Sequence, residues 1–312
     1  MKPLISQNSL GISRIEYYLW GVNLSLKSTM KKTFFALGLA GLAFAGCEPR
    51  DDTTGGSSNL TVTQDQYALV METTGSWCGW CPNGAADLKS AMVDFDNILP
   101  MAIHNGDPLV TSTTTAFEGA FPTSGVPNFY VGSEDVGQSI QAPITLLLAD
   151  TPAVGIAHSS KVEDGDIKIE SKIAFFDTLT GEVYAQAYFI NGPVAADASS
   201  IWGDLTQSDY TDDLETVGGL TRWVNPRSSF NGVEIFSAGD VYMHDHSLLA
   251  HAGSDAFGSA ISSDNSFEAG DTFSMNFTIE TDAKWTMEGS HIITILWKKE
   301  GGSYVFLNGF ID

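Results

Sequence analysis

The chain has 312 residues, 43% hydrophobic and 17% charged, a composition and length that fit a globular protein of two domains. A formal net charge of −23 repels phosphate backbones, so no nucleic-acid partner is expected. Three cysteines, Cys47, Cys78 and Cys81, are too few for a four-cysteine zinc site, and neither a metal nor a cofactor is expected.

Residues 1–29 show no clear pattern and read as an extension ahead of a start at Met30. Met30-Lys31-Lys32 then opens an uncharged run over 33–46, rich in Phe, Leu, Ala and Gly. A short basic region followed by an apolar run of this length predicts a signal peptide over 30–46, too short to span a bilayer. A buried core helix fits less well with lysines before the run and a cysteine after it. The end of the run, Phe44-Ala45-Gly46-Cys47, resembles a bacterial lipobox, with Phe44 where that signal usually has Leu. The resemblance implies lipidation of Cys47, which would become the mature N-terminus. Cleavage there discards Lys2, Arg14, Lys27, Lys31 and Lys32 against the single acid Glu16, which makes the mature chain more acidic. Residues 47–60, with Glu48-Pro49-Arg50-Asp51-Asp52 ahead of a Thr/Gly/Ser tract, read as a lipidated cysteine and flexible tether. Acidic residues behind the lipid cysteine are similar to the signal that sends Bacteroidota lipoproteins to the cell surface.

The first globular segment is expected over 61–150. Ala68-Leu69-Val70-Met71 has strand character, and a helix-compatible stretch after Pro82 offers Ala86, Leu88, Met92, Val93 and Phe95 as candidate buried positions. The sequence Cys78-Gly79-Trp80-Cys81 therefore falls where a strand turns into a helix N-terminus. There, unpaired N–H groups and the helix dipole favour a thiolate at Cys78, and Cys81 lies one turn on to resolve a mixed disulfide. Pro82 suits the first turn, where its missing N–H is not needed. A further strand is expected at Leu99-Pro100-Met101-Ala102-Ile103, followed by Gly125-Val126-Pro127. These pieces resemble a thioredoxin-like domain, in which a cis-proline packs on the CxxC and the residue before it pairs with substrate. The resemblance puts Pro127 and Val126 in those roles and makes Glu72, six residues before Cys78, the buried acid that moves the resolving thiol's proton. It makes Cys78, Cys81, Glu72 and Pro127 the catalytic candidates and Trp77, Gly79, Trp80 and Val126 the substrate-binding ones. Each piece also has a plainer reading: a structural disulfide, an ordinary loop proline, a surface glutamate.

Thr74-Gly75, the Cys-x-x-Cys-Pro that follows, Ile103-His104-Asn105-Gly106-Asp107-Pro108 and Gly125-Val126-Pro127 together resemble the Omp-twenty-eight-related outer membrane protein family of Bacteroidota. That resemblance implies a lipoprotein with a thioredoxin-like part followed by a β-rich part, over nearly all of the mature chain. In that family adhesion or binding is suggested as often as redox work.

Over 152–312 the hydrophobic period becomes two. Ile167, Ile169, Ile173 and Phe175 alternate with polar residues, as do Phe273, Met275, Phe277 and Ile279. A strand is expected over Val183 to Ile190, and Ile292 to Trp297 with Tyr304 to Leu307 forms a hairpin around Gly301-Gly302. Such alternation predicts an antiparallel, immunoglobulin-like sandwich after the α/β thioredoxin-like domain. Glu163-Asp164-Gly165-Asp166 lacks calcium-loop spacing and reads as a solvated turn. In Tyr242-Met243-His244-Asp245-His246, a strand would put His244 and His246 on one face, with His251 near, as a metal site; histidines bonding loop backbone are the favoured reading. His104 and Asp107 either orient groups near the cysteine pair or form a strand-end turn.

The functional expectation is thiol–disulfide exchange on envelope or extracellular proteins or peptides, by a protein held to the outer membrane through a lipid anchor. The alternative is a non-catalytic surface binding or adhesion lipoprotein in which Cys78–Cys81 is structural.

Overall fold

The computed structural model describes residues 59–312; the expected extension, signal peptide, lipidation site at Cys47 and tether up to residue 58 lie outside them. Strand β1 (Ala68–Thr74) is buried along its whole length, as an inner strand covered on both faces must be. It runs through the Cys78-Gly79-Trp80 turn into helix α1 (Cys81–Asp94), with Pro82 in the first turn as expected. Ala86, Leu88 and Ala91 face inward. Val93 differs from the expectation and is largely exposed: it stands in the last turn, where Met92 and Phe95 cover that end of the core instead. Strand β2 (Ile98–His104) pairs in parallel with β1, from Ala68 opposite Ile98 to Thr74 opposite His104. Helix α2 (Ser112–Ala120) starts on a reciprocal Thr111–Thr114 capping box. Strands β3 (Asn128–Val131) and β4 (Glu134–Gly137) add antiparallel partners, and helix α3 (Gln141–Leu148) closes the segment.

Beyond it, β5 (Val154–Glu163) and β6 (Asp166–Phe175) form a hairpin. Its two turn residues, Asp164 and Gly165, have φ of 55° and 86°, the left-handed pair that a tight hairpin requires, so the acidic stretch is a turn. The short β7 (Leu179–Thr180) precedes the long β8 (Glu182–Asn191). An irregular passage follows, with β9 (Val194–Ala195), β10 (Leu214–Val217), β11 (Leu220–Trp223), β12 (Arg227–Ser228), β13 (Glu234–Phe236) and β14 (Met243–His244). Strands β15 (Ser247–His251), β16 (Ser259–Ala260), β17 (Ser266–Phe267) and β18 (Thr272–Glu280) lead to the closing hairpin of β19 (His291–Glu300) and β20 (Ser303–Ile311).

The main sheet is mixed and runs β20-β19-β8-β15-β2-β1-β3-β4, with β16 also on β8. It crosses the expected 150/152 boundary: β15 lies between β8 and β2, and the Ala102 N–H donates to the His246 carbonyl at 2.8 Å. Helices α1 and α3 cover one face, where Leu88, Ile140 and Ile144 meet Val70, Ile98 and Phe129. On the other face Phe117 of α2 meets Tyr188, Phe257 and Trp297 at ring-centroid distances of 5.4, 5.1 and 6.2 Å. Such aromatic pairs add about 0.5–1.5 kcal/mol each beyond area burial, so this seam binds α2 to β8 and β19. A second, antiparallel sheet, β18-β6-β5, shares an apolar core with the β8–β19 arm through Ile156, Ile173, Phe175, Val183 and Leu296.

Candidate functional site

Cys78 and Cys81 are disulfide-bonded across the start of α1. The Cys78 N–H donates to the Gly75 carbonyl at 3.0 Å, and Asn83 N–H to the Trp80 carbonyl at 3.1 Å, so the turn is built from its own backbone. Cys78 is 4% exposed and Cys81 is fully buried, while Trp77 and Trp80 beside them stand 51% and 53% exposed. The Trp77 indole N–H donates to the Asn105 carbonyl at 2.7 Å, and Trp80 meets Tyr210 edge-on at 6.2 Å.

Glu72 lies buried on β1, with Oε1 lacking any hydrogen-bond partner among the described residues. Burial pushes its pKa up to about 8; a hydrogen bond from Thr74 offsets part of this and the charge of Asp87 adds to it. Val126–Pro127 is a cis peptide, with Pro127 buried and Val126 half-buried. Glu72 and Pro127 converge on one point of α1, Gly84. A Cβ there would run into the Glu72 carboxyl and come within 2.8 Å of the Pro127 Cβ. Only a glycine leaves room for both side chains against the helix at that point. Its signal in the sequence was an isolated glycine inside a helical stretch, one turn after Cys81.

His104 and Asp107 tie the CxxC turn to β2. His104 Nδ1 lies 2.7 Å from Asp107 Oδ2, and the same oxygen accepts the Ser76 N–H at 2.9 Å. Desolvation alone would raise the Asp107 pKa; the bonds from His104, Ser76 and Leu109 outweigh it and hold it below the ordinary carboxylate range.

A segment that the sequence left unassigned covers the disulfide. Residues 207–210 run along the CxxC turn: Ser208 N–H donates to the Ser76 carbonyl and Tyr210 N–H to the Gly79 carbonyl, both at 2.8 Å. The Gln207 side-chain amide donates to the Cys78 carbonyl at 2.8 Å. The Tyr210 ring lies so close over Gly79 that any Cβ at that position would enter it. Further on, Arg227 bonds Asn83 and Asp213, and Phe230 N–H donates to Ser90 Oγ, so 207–236 lies along α1.

Between α1 and the 240–246 segment is a cavity of about 380 Å³, reached by Glu72, Lys89, Tyr242, His244 and His246. A strand does not run through the histidines: β14 ends at His244, and His246 takes a left-handed φ of 55°, which removes the alternation that a metal site there would need. His244 Nε2 bonds the Leu205 carbonyl at 2.8 Å, as the loop-backbone reading expected. His246 is buried, yet among the described residues neither ring nitrogen has a hydrogen-bond partner; Nε2 has only a 3.5 Å contact to Asp245 Oδ2. His251 bonds Thr113 instead of joining them. Burial lowers the pKa of both His244 and His246 to about 4, His104 adding to the effect at His244. Among the described residues no three or more His, Cys, Asp or Glu side chains are grouped to hold a metal ion.

The fold and site together define a strand-dominated protein with a mixed sheet and a disulfide at the start of a helix. No family model matches the chain, and no curated protein does. Among solved structures it is similar to HBP35 of Porphyromonas gingivalis, at 16% identity and a TM-score of 0.56, over 81% of this chain and 76% of that one. That likeness is one of fold. No helix of the described residues is long and apolar enough to cross a membrane.

Proposed function

We propose that this is a lipid-anchored outer-membrane protein of the Bacteroidota type whose thioredoxin-like segment exchanges thiols and disulfides with envelope polypeptides, followed by an immunoglobulin-like sandwich. The observation that carries the exchange is Glu72. The carboxyl packs against Gly84, one turn past Cys81; a purely structural disulfide gives no reason to bury a carboxyl with an unpaired oxygen there, which costs several kcal/mol, on the order of 2–7. The exposed Trp77 and Trp80 support the same reading, as an apolar platform for a polypeptide beside the cysteine pair.

In this scheme a substrate thiolate attacks Cys78 Sγ, the Sγ–Sγ bond breaks, and Cys81 leaves as a thiolate. Glu72, protonated at neutral pH, supplies its proton. A second substrate thiolate then displaces Cys78, so two electrons pass from the substrate dithiol to the cysteine pair. The reverse sequence oxidises Cys78 and Cys81 and reduces a substrate disulfide.

The test is trapping. A Cys81→Ser chain should accumulate mixed disulfides at Cys78 with envelope proteins, and the wild-type pair should titrate above about −300 mV against glutathione. A lower potential together with no trapped partner refutes exchange. One observation favours a second reading, surface binding with a structural disulfide: the 207–210 segment leaves Cys78 only 4% exposed.

A further inference from the structure

The cavity behind α1 goes beyond the exchange reading and stands whether or not the cysteines turn over. Its volume of about 380 Å³ is that of a small-molecule site, and one wall is apolar, made by Ala85, Leu88, Phe236 and Met243. The polar side is unusual. Among the described residues Glu72 Oε1 and His246 Nδ1 are buried without a hydrogen-bond partner, and His246 Nε2 has only a 3.5 Å contact to Asp245 Oδ2; both residues, on β1 and on the turn before β15, reach this one space. Buried polar atoms are almost always hydrogen-bonded, so two unpaired ones on different elements, Glu72 Oε1 and His246 Nδ1, around one cavity are the mark of a site built for a ligand.

The charges around the cavity select its sign. Lys89 contributes one positive charge, while Asp240 and Asp245 contribute two negative ones and Glu72 can ionise toward a cation. His246 remains uncharged at neutral pH; with the proton on Nε2, toward Asp245, Nδ1 is left as an acceptor. We infer that the cavity binds a small organic amine whose ammonium group meets Glu72, whose flat apolar body lies on Leu88 and Phe236, and whose N–H edge meets His246.

The test uses three probes of one shape, titrated calorimetrically into the oxidised chain: tryptamine, its alcohol analogue tryptophol, and indole-3-propionate. Tryptamine should bind at least about tenfold more tightly than indole-3-propionate, with tryptophol between them. It should also shift the His246 ring resonances. Glu72→Gln should weaken tryptamine about tenfold and bring it level with tryptophol. Ala85→Leu fills the cavity from the half-buried face of α1 without touching Glu72 and should weaken all three; it decides the matter if Glu72→Gln does not fold. The inference is overturned if tryptamine does not bind, if indole-3-propionate binds as tightly, or if Ala85→Leu leaves tryptamine binding unchanged. None of these results bears on mixed-disulfide trapping at Cys78, so the two proposals fail separately.

Discussion

Glu72 occupies a position where protonation and folding are linked. Its folded pKa, about 8, lies above its ordinary value of 4.5 because burial penalises the carboxylate. Between those two values the folded chain therefore holds a proton that the unfolded chain releases. The linkage sign follows: this residue's contribution is fully present below about pH 4.5 and is lost as pH rises through 8. In Glu72→Gln the carboxyl no longer titrates. The variant should be more stable than wild type at pH 8.5, by a few kcal/mol at most, and should gain little at pH 5. Urea unfolding of the oxidised proteins at the two pH values checks this; an equal gain at both would mean that Glu72 is ionised throughout. The Cys78–Cys81 turn between a strand and a helix start was legible in the sequence because that spacing is local, whereas Glu72 and Pro127 were singled out only by the thioredoxin-like resemblance. Gly84 was visible only as an anomaly, since its reason lies in the approach of Glu72 and Pro127 from two other strands' ends. Gln207 was not legible at all: its amide meets the Cys78 carbonyl across 129 residues, and nothing in a glutamine's neighbourhood announces such a contact.

The same contrast holds for elements. The alternation in β6 and β18 identified those strands because each buries one face more than the other, and period two follows from the pleat. The 195–265 passage has no such period. Much of it is ordered by side chains bonding nearby backbone, as Asp209 does with Thr211, Asp213 and Leu214. Its 207–210 strap is held to the CxxC turn mainly through backbone donors, Ser208 and Tyr210, so almost any sequence there would satisfy the pattern. The strap gives a kinetic prediction. Ser208→Pro removes the N–H that donates to Ser76 and should loosen the cover by about 1 kcal/mol, the net value of one such bond. Reduction of Cys78–Cys81 by dithiothreitol should then be roughly fivefold faster, followed by thiol alkylation and mass. An unchanged rate would show that the strap does not limit access to Cys78.

At the scale of the molecule, the composition pointed to two segments, and the change of period near residue 150 marks the passage from α3 to β5. What the sequence did not carry is that one sheet runs through that point. β15 pairs with β2 through contacts more than a hundred residues apart, Ser247 opposite Ala102, and no local pattern encodes such a neighbour. The apolar runs of β1 and β2 did carry half of the answer, because strands buried on both faces need covering on both sides. Attachment to a membrane rests on other physics. The chain is acidic, at −23, and anionic lipid surfaces repel it; no described helix spans a bilayer. The proposed anchor is a pair of acyl chains on Cys47, and two chains suffice for stable anchoring at about 0.8 kcal/mol per buried CH₂. Cys47→Ser removes the acceptor sulfur and leaves the globular part untouched. Expressed in a Bacteroidota host, that variant should leave the membrane fraction and appear in the soluble envelope extract, with the same disulfide and the same unfolding midpoint. Retention of Cys47→Ser in washed membranes would refute the anchor and move the attachment to a surface of the folded chain or to a partner.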